Sequence, residues 1–99
     1  MKTWLDLKDR VKEMIDSIAF YQHEGQEIKT AGQREWKIAG LCPFHADKEA
    51  GSFYINSKDG RFKCFSCDAT GDIIEFTKQK YELSFIEALH KLSNDWRVV

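Results

Sequence analysis

Four side chains, set in two pairs, decide more about this chain than any other part of its sequence: Cys42 and His45 in Cys42-Pro43-Phe44-His45, and Cys64 and Cys67 in Cys64-Phe65-Ser66-Cys67. Two residues between donors let both side chains of one tight turn reach a common tetrahedral ion. Two such pairs, separated here by residues 46–63, have the spacing of a structural zinc site. For the pairs to meet, the intervening segment must fold back on itself. A free cysteine can serve as a small hydrophobe, but that role gives no reason for pairs at ligand spacing. Three cysteines is an odd number, and Met1 to Lys8 mixes charged with apolar residues where a secretion signal would be apolar. A disulfide framework is therefore not expected, and a cytoplasmic location is. A catalytic zinc usually keeps one position open for water. Four protein donors, three of them thiolates, close this site, so the expected ion is a structural Zn2+, with no catalytic residue and no enzymatic activity from the chain by itself.

At 99 residues the chain fits one domain, 1–99, with a metal-binding core at about 34–76. A domain this small has a thin core, which a bound ion would reinforce. No apolar run reaches the roughly 18 residues of a membrane span. Trp4, Leu7, Val11, Met14, Ile15, Ile18 and Tyr21 recur in steps of three and four, which predicts a first helix from Trp4 to Tyr21, capped by Thr3 and leaving through Gly25. The period then shortens. Residues 27–30 and 34–39 read as a hairpin, Ser52–Asn56 as a strand, Asp59-Gly60 as a turn and Arg61–Phe65 as the returning strand. Asp72 opens a helix through Ile73, Ile74, Phe76, Thr77 and Tyr81. Ser84 opens another, with Glu87 at capping-box spacing. The expected fold class is α+β: a small antiparallel zinc-ribbon sheet packed with an N-terminal helix and two C-terminal helices.

Beyond the four donors, Lys48, Ser52-Phe53, Phe62, Gly71-Asp72-Ile73-Ile74-Glu75-Phe76 and Ser84-Phe85-Ile86-Glu87-Ala88-Leu89 fall in a recognisable order. Together they resemble the zinc-binding domain of bacterial and phage DNA primases of the DnaG type, over about residues 34 to 93. The resemblance implies a Cys-His-Cys-Cys zinc site. It also implies a sheet surface that contacts single-stranded template DNA and helps to select the site of primer initiation in DNA replication. Polymerisation would lie in a separate, larger domain, so the implied partners are the template strand, a primase catalytic domain and a replicative helicase. The isolated domain is expected to be a monomer with no membrane association. One departure is visible: Lys48-Glu49-Ala50-Gly51-Ser52-Phe53 is one residue longer than the family's usual Lys-x-Pro-Ser-Phe and lacks its proline.

Strand alternation sorts the candidate contacts. Phe53, Ile55 and Phe62 point to one face, expected to meet the helices. Tyr54, Arg61, Lys63 and Phe65 point to the other, a basic and aromatic combination of the kind that holds phosphates and stacks bases. Arg34 and Lys37 are expected to extend this face from the neighbouring hairpin, and Lys48 from the ligand loop. Trp36 and Trp96 are expected to be packing residues, and His23 and His90 surface or boundary residues. Net charge speaks against a strongly basic DNA binder, with 15 Lys+Arg against 16 Asp+Glu. The segment 58–63, however, holds Lys58, Arg61 and Lys63 against Asp59 alone, so any attraction is local and weak binding is expected. The competing expectation is a protein-interaction module that docks on a primase or helicase through its helices. A small zinc hydrolase is disfavoured by the closed ligand set.

Overall fold

Apolar stripes at helical spacing and short alternating runs assemble into four helices and four strands in the computed structural model, which describes residues 4–45 and 51–98. In chain order they are α1 (Trp4–Met14), α2 (Ser17–His23), β1 (Trp36–Ile38), β2 (Phe53–Asn56), β3 (Phe62–Cys64), β4 (Thr70–Gly71), α3 (Ile73–Tyr81) and α4 (Phe85–Asp95). The fold is α+β, with the antiparallel sheet and flanking helices that the pattern predicts. Among the described residues no helix is long and apolar enough to cross a membrane.

The single N-terminal helix expected from Trp4 to Tyr21 is two helices. Asp16 is extended (φ −67°, ψ 125°) and caps α2 by accepting from the Ala19 N–H at 2.9 Å. Short polar side chains such as Asp16 compete for backbone donors and favour this break over a continued helix. The break lets Val11 and Ile15 of the first segment and Phe20 and Tyr21 of the second all bury. Thr3 lies outside the described residues. The other two helices begin where expected. Asp72 accepts from the Glu75 N–H at 2.9 Å. Ser84 and Glu87 form a reciprocal capping box, with bonds of 3.1 and 2.9 Å.

The sheet is an antiparallel meander in the order β1-β2-β3-β4. Residues paired across strands share a face. Ile55 and Phe62 pair, as do Phe53 and Cys64, and all four are fully buried beneath the helices. The opposite face carries Trp36, Ile38, Tyr54 and Lys63, since Ile38 pairs with Tyr54 and Tyr54 with Lys63. Strand β4 is only two residues long, below the length at which alternation can be detected. The expected strand at 27–30 is reduced to one bridge, Ile28 to Ala39. There side chains replace the ladder: Gln26 Nε2 donates to the carbonyls of Ala39 and Leu41, and Lys37 Nζ to those of Thr30 and Gly32.

An aromatic cluster joins helices to sheet. Phe76 of α3 lies 5.0 Å from Tyr21, 5.3 Å from Phe44, and 5.7 Å from both Phe20 and Phe62, centroid to centroid. Tyr21 also donates its buried hydroxyl to the Gly60 carbonyl at 2.6 Å, tying α2 to the β2–β3 turn. Gly60 has φ 79°, and a Cβ there would stand 3.0 Å from Ser17 Oγ, so glycine is required by both conformation and space. Tyr21→Phe leaves that carbonyl buried without its donor. The expected cost is about 1–3 kcal/mol, read as a lower urea midpoint at unchanged slope. A variant melting with the wild type would show that the tie contributes nothing.

Candidate metal centre and nucleic-acid interface

The first donor pair follows β1 and the second fills the turn between β3 and β4. The hairpin of β2 and β3 therefore returns the chain to the first pair, as the spacing requires. In the first turn the Phe44 N–H points at Cys42 Sγ, 3.5 Å away. Gln26, a buried polar residue, holds the carbonyls of Ala39 and Leu41 that lead into Cys42. In the second turn the Asp68 N–H donates to the Cys64 carbonyl at 2.9 Å and the Cys64 N–H to the Ala69 carbonyl at 2.8 Å. Asp68 takes a left-handed conformation (φ 62°) to close that turn. Ser66 Oγ to Ser52 Oγ (2.7 Å) and the Phe65 N–H to the Ser52 carbonyl (2.9 Å) fasten it to the start of β2.

The donor atoms of Cys42, His45, Cys64 and Cys67 lie within 4.8 Å of one another. Cys42 Sγ and Cys67 Sγ are 3.8 Å apart. Thiolates sharing a tetrahedral zinc at a Zn–S length of about 2.3 Å stand about 3.8 Å apart, so the spacing is that of an edge of such a tetrahedron and far from a disulfide. The electrostatics agree. Burial raises the Cys42 thiol to about 12, with the sulfurs of Cys64 and Cys67 adding to the shift and the Phe44 N–H opposing it. Burial works the same way at Cys64, but N–H groups of Cys67 and Ser66 and the neighbouring thiols outweigh it and bring that thiol below its usual value. A divalent cation held among these sulfurs would favour the thiolate forms of Cys42 and Cys64. Soft sulfur with one imidazole suits zinc.

Residues 6–99 match the CHC2 zinc finger family, the DnaG-type zinc ribbon. The chain belongs to that family. This zinc finger is similar to the DNA primase of Deinococcus radiodurans, 37% identical over 70 residues, which are 71% of this chain and 12% of that protein. It is also similar to the DNA primase of Helicobacter pylori, 45% identical over 58 residues, 59% of this chain and 10% of the relative. The crystal structure of the Aquifex aeolicus primase, described by its zinc-binding and RNA polymerase domains, superposes with a TM-score of 0.74 at 27% identity. It covers 100% of this chain and 23% of that one. The zinc finger thus spans about a tenth of the length of the curated relatives it matches. Family and four-donor cluster together make the chain a zinc-binding domain of the DNA primase kind.

The zinc finger's sheet face opposite the helices holds an open groove of about 330 Å³ lined by Trp36, Tyr54, Lys63 and Phe65. Phe65 is 67% exposed and meets Tyr54 edge to face at 5.4 Å. Lys63 Nζ lies 5.9 Å from the Phe65 ring, and the Arg61 guanidinium 5.4 Å from the Trp36 ring. Arg34 is exposed and borders a neighbouring hollow with Trp36 and Tyr54. The structure therefore brings together Tyr54, Arg61, Lys63 and Phe65, with Arg34 at the margin.

Two expectations change. Lys37 pairs with Ile55, so it stands on the buried face. Its stem is covered, and its ammonium emerges only to bond the Thr30 (3.3 Å) and Gly32 (3.0 Å) carbonyls. It lines the neighbouring hollow together with Arg34, Trp36 and Tyr54 and does not line the groove itself. Trp36, expected to pack, is 38% exposed and forms a groove wall, because its register opposite Asn56 puts it on the outer face. A strand of three residues was too short for its phase to be read from sequence. Trp96 does pack, 6.1 Å from Phe20. His23 and His90 are exposed, and His23 sits edge-on to Trp96 at 5.5 Å. Lys48 lies outside the described residues.

Proposed function

We propose that Cys42, His45, Cys64 and Cys67 hold one zinc ion whose role is structural. We further propose that the sheet so fixed presents Trp36, Tyr54, Arg61, Lys63 and Phe65 to single-stranded template DNA. The observation that carries this reading is the groove itself, three aromatic side chains around an open hollow beside two cations. Aromatic faces accept bases of any sequence, and cations accept the strand's phosphates. The similarity to DNA primases supports a role in DNA replication; on our reading the chain contacts template during primer initiation, nucleotide polymerisation is carried by another domain, and a replicative helicase is a further partner. The zinc contributes rigidity. By fixing both turns it sets the phase of β3 and hence the side on which Lys63 and Phe65 emerge.

The reading is tested by titrating a fluorescently labelled single strand against the 99-residue chain. Base stacking on an aromatic contributes about 1–3 kcal/mol, so Trp36→Ala and Tyr54→Ala are each expected to weaken binding roughly 5- to 150-fold. Zinc content should stay at one ion per chain. Arg61→Ala with Lys63→Ala is expected to weaken binding less than either aromatic substitution, because both cations already face carboxylates. Unchanged affinity in all these variants would remove the face from consideration. Loss of binding only on substituting the outer sides of α3 and α4 would favour the docking-module reading.

A further inference from the structure

The three cations of the β2–β3 hairpin look like an excess of positive charge in the sequence, but in the fold each faces a carboxylate. Arg61 Nε is 2.7 Å from Asp59 Oδ2, and Asp59 Oδ1 accepts the Arg61 backbone N–H at 3.0 Å, so this acid is held on two sides. Lys63 Nζ is 3.2 Å from Asp68 Oδ1. Lys58 Nζ is 3.0 Å from Glu35 Oε1. Asp68 and Glu35 come from outside the hairpin, one from the second metal turn and one from the start of β1. The left-handed backbone at Asp68, fixed by the turn that holds Cys64 and Cys67, aims that carboxylate at the groove's lysine.

This arrangement changes what the groove can recognise. A phosphate that approaches Arg61 or Lys63 replaces one anion by another, so little is gained from charge. The aromatic walls remain available. A duplex offers phosphates while its base faces are stacked inside; a single strand offers base faces. We propose that Asp59 and Asp68 are specificity-determining residues: by neutralising Arg61 and Lys63 they make the groove take single strands through base stacking and decline the duplex polyanion. The proposal rests on the single-strand reading above and deepens it.

The test compares the wild-type chain with Asp59→Asn, and with Asp59→Asn combined with Asp68→Asn, on a labelled single strand and on the duplex of the same sequence over a salt series. Asparagine removes only charge. At 59 it keeps an oxygen for the Arg61 N–H, and at 68 it tolerates the left-handed backbone. The wild type is expected to bind the single strand with a shallow salt dependence and the duplex far more weakly. Each unmasked cation adds about 0.7 to the logarithmic salt slope on single strands and about 0.9 on duplex. The double variant should therefore steepen the single-strand slope by about 1.4 and raise duplex affinity about tenfold at low salt. Asp59→Asn, remote from the metal turns, should give about half of each change. Single-strand binding by the wild type with slopes and duplex affinity unchanged in both variants overturns the masking role alone. No single-strand binding by the wild type overturns the groove reading as well.

Discussion

Replacing Cys64 with alanine is expected to abolish stable folding of this chain. Cys64 ends β3, pairs with Phe53 and is fully buried, so it is at once a core residue and a metal donor. Zinc binding to a site of this kind contributes on the order of 10–16 kcal/mol at neutral pH. A domain's whole stability is about 5–15 kcal/mol. Losing one of four donors therefore removes as much as the fold has to lose. The variant should retain no zinc, lose its near-UV circular dichroism and melt without a cooperative transition. The wild type should do the same on addition of a strong chelator. Acidification should act in the same direction, since thiolates must be deprotonated to hold the metal and protons compete for them. A Cys64→Ala chain that melts like the wild type would contradict a structural zinc.

Phe76→Ala is expected to be the most damaging substitution away from the donors. Phe76 is fully buried, and its ring touches Phe20 and Tyr21 of α2, Phe44 of the first metal turn and Phe62 of β3. Truncating a buried phenylalanine costs about 3–5 kcal/mol. Here the cavity would lie where helices, sheet and metal turn meet, with no spare side chain to fill it. In zinc-saturated buffer the urea midpoint should fall by that amount of stability. Zinc affinity should fall with it, because Phe44 loses the surface that seats its turn. A change within about 0.5 kcal/mol, the range of ordinary surface substitutions, would show that the cluster does not join helices to sheet.

These two expectations rest on parts of the molecule that were legible in the sequence. Ligand spacing is a local signal with a rigid geometric meaning, and it located the centre. Asp72 and Ser84 marked the starts of α3 and α4 because capping is settled within four residues of chain. Alternation sorted Phe53, Ile55 and Phe62 from Tyr54 and Lys63 because β2 and β3 pair directly through a short turn. What was not legible depended on distant partners. The break at Asp16 follows from the need of Val11, Ile15, Phe20 and Tyr21 to reach one core. The sides taken by Trp36 and Lys37 are set by the register of β1 on β2, across a long ligand loop. Residues 58–63 alone do not give the charge of the hairpin, since Glu35 and Asp68 meet Lys58 and Lys63 only in the folded chain. Local rules fixed the centre and the helix starts, while the make-up of the outer sheet face is a product of tertiary pairing.

The central claim, that a zinc-fixed sheet presents its outer face to a single strand, is most directly tested by amide chemical-shift mapping. The isotopically labelled, zinc-loaded chain is titrated with a short single-stranded oligonucleotide. The account expects shifts confined to residues 34–36, Tyr54 and residues 61–65, with the Trp36 indole N–H among the largest, and none along the outer sides of α3 and α4. Shifts confined to those helices, or none at concentrations well above micromolar, would contradict it.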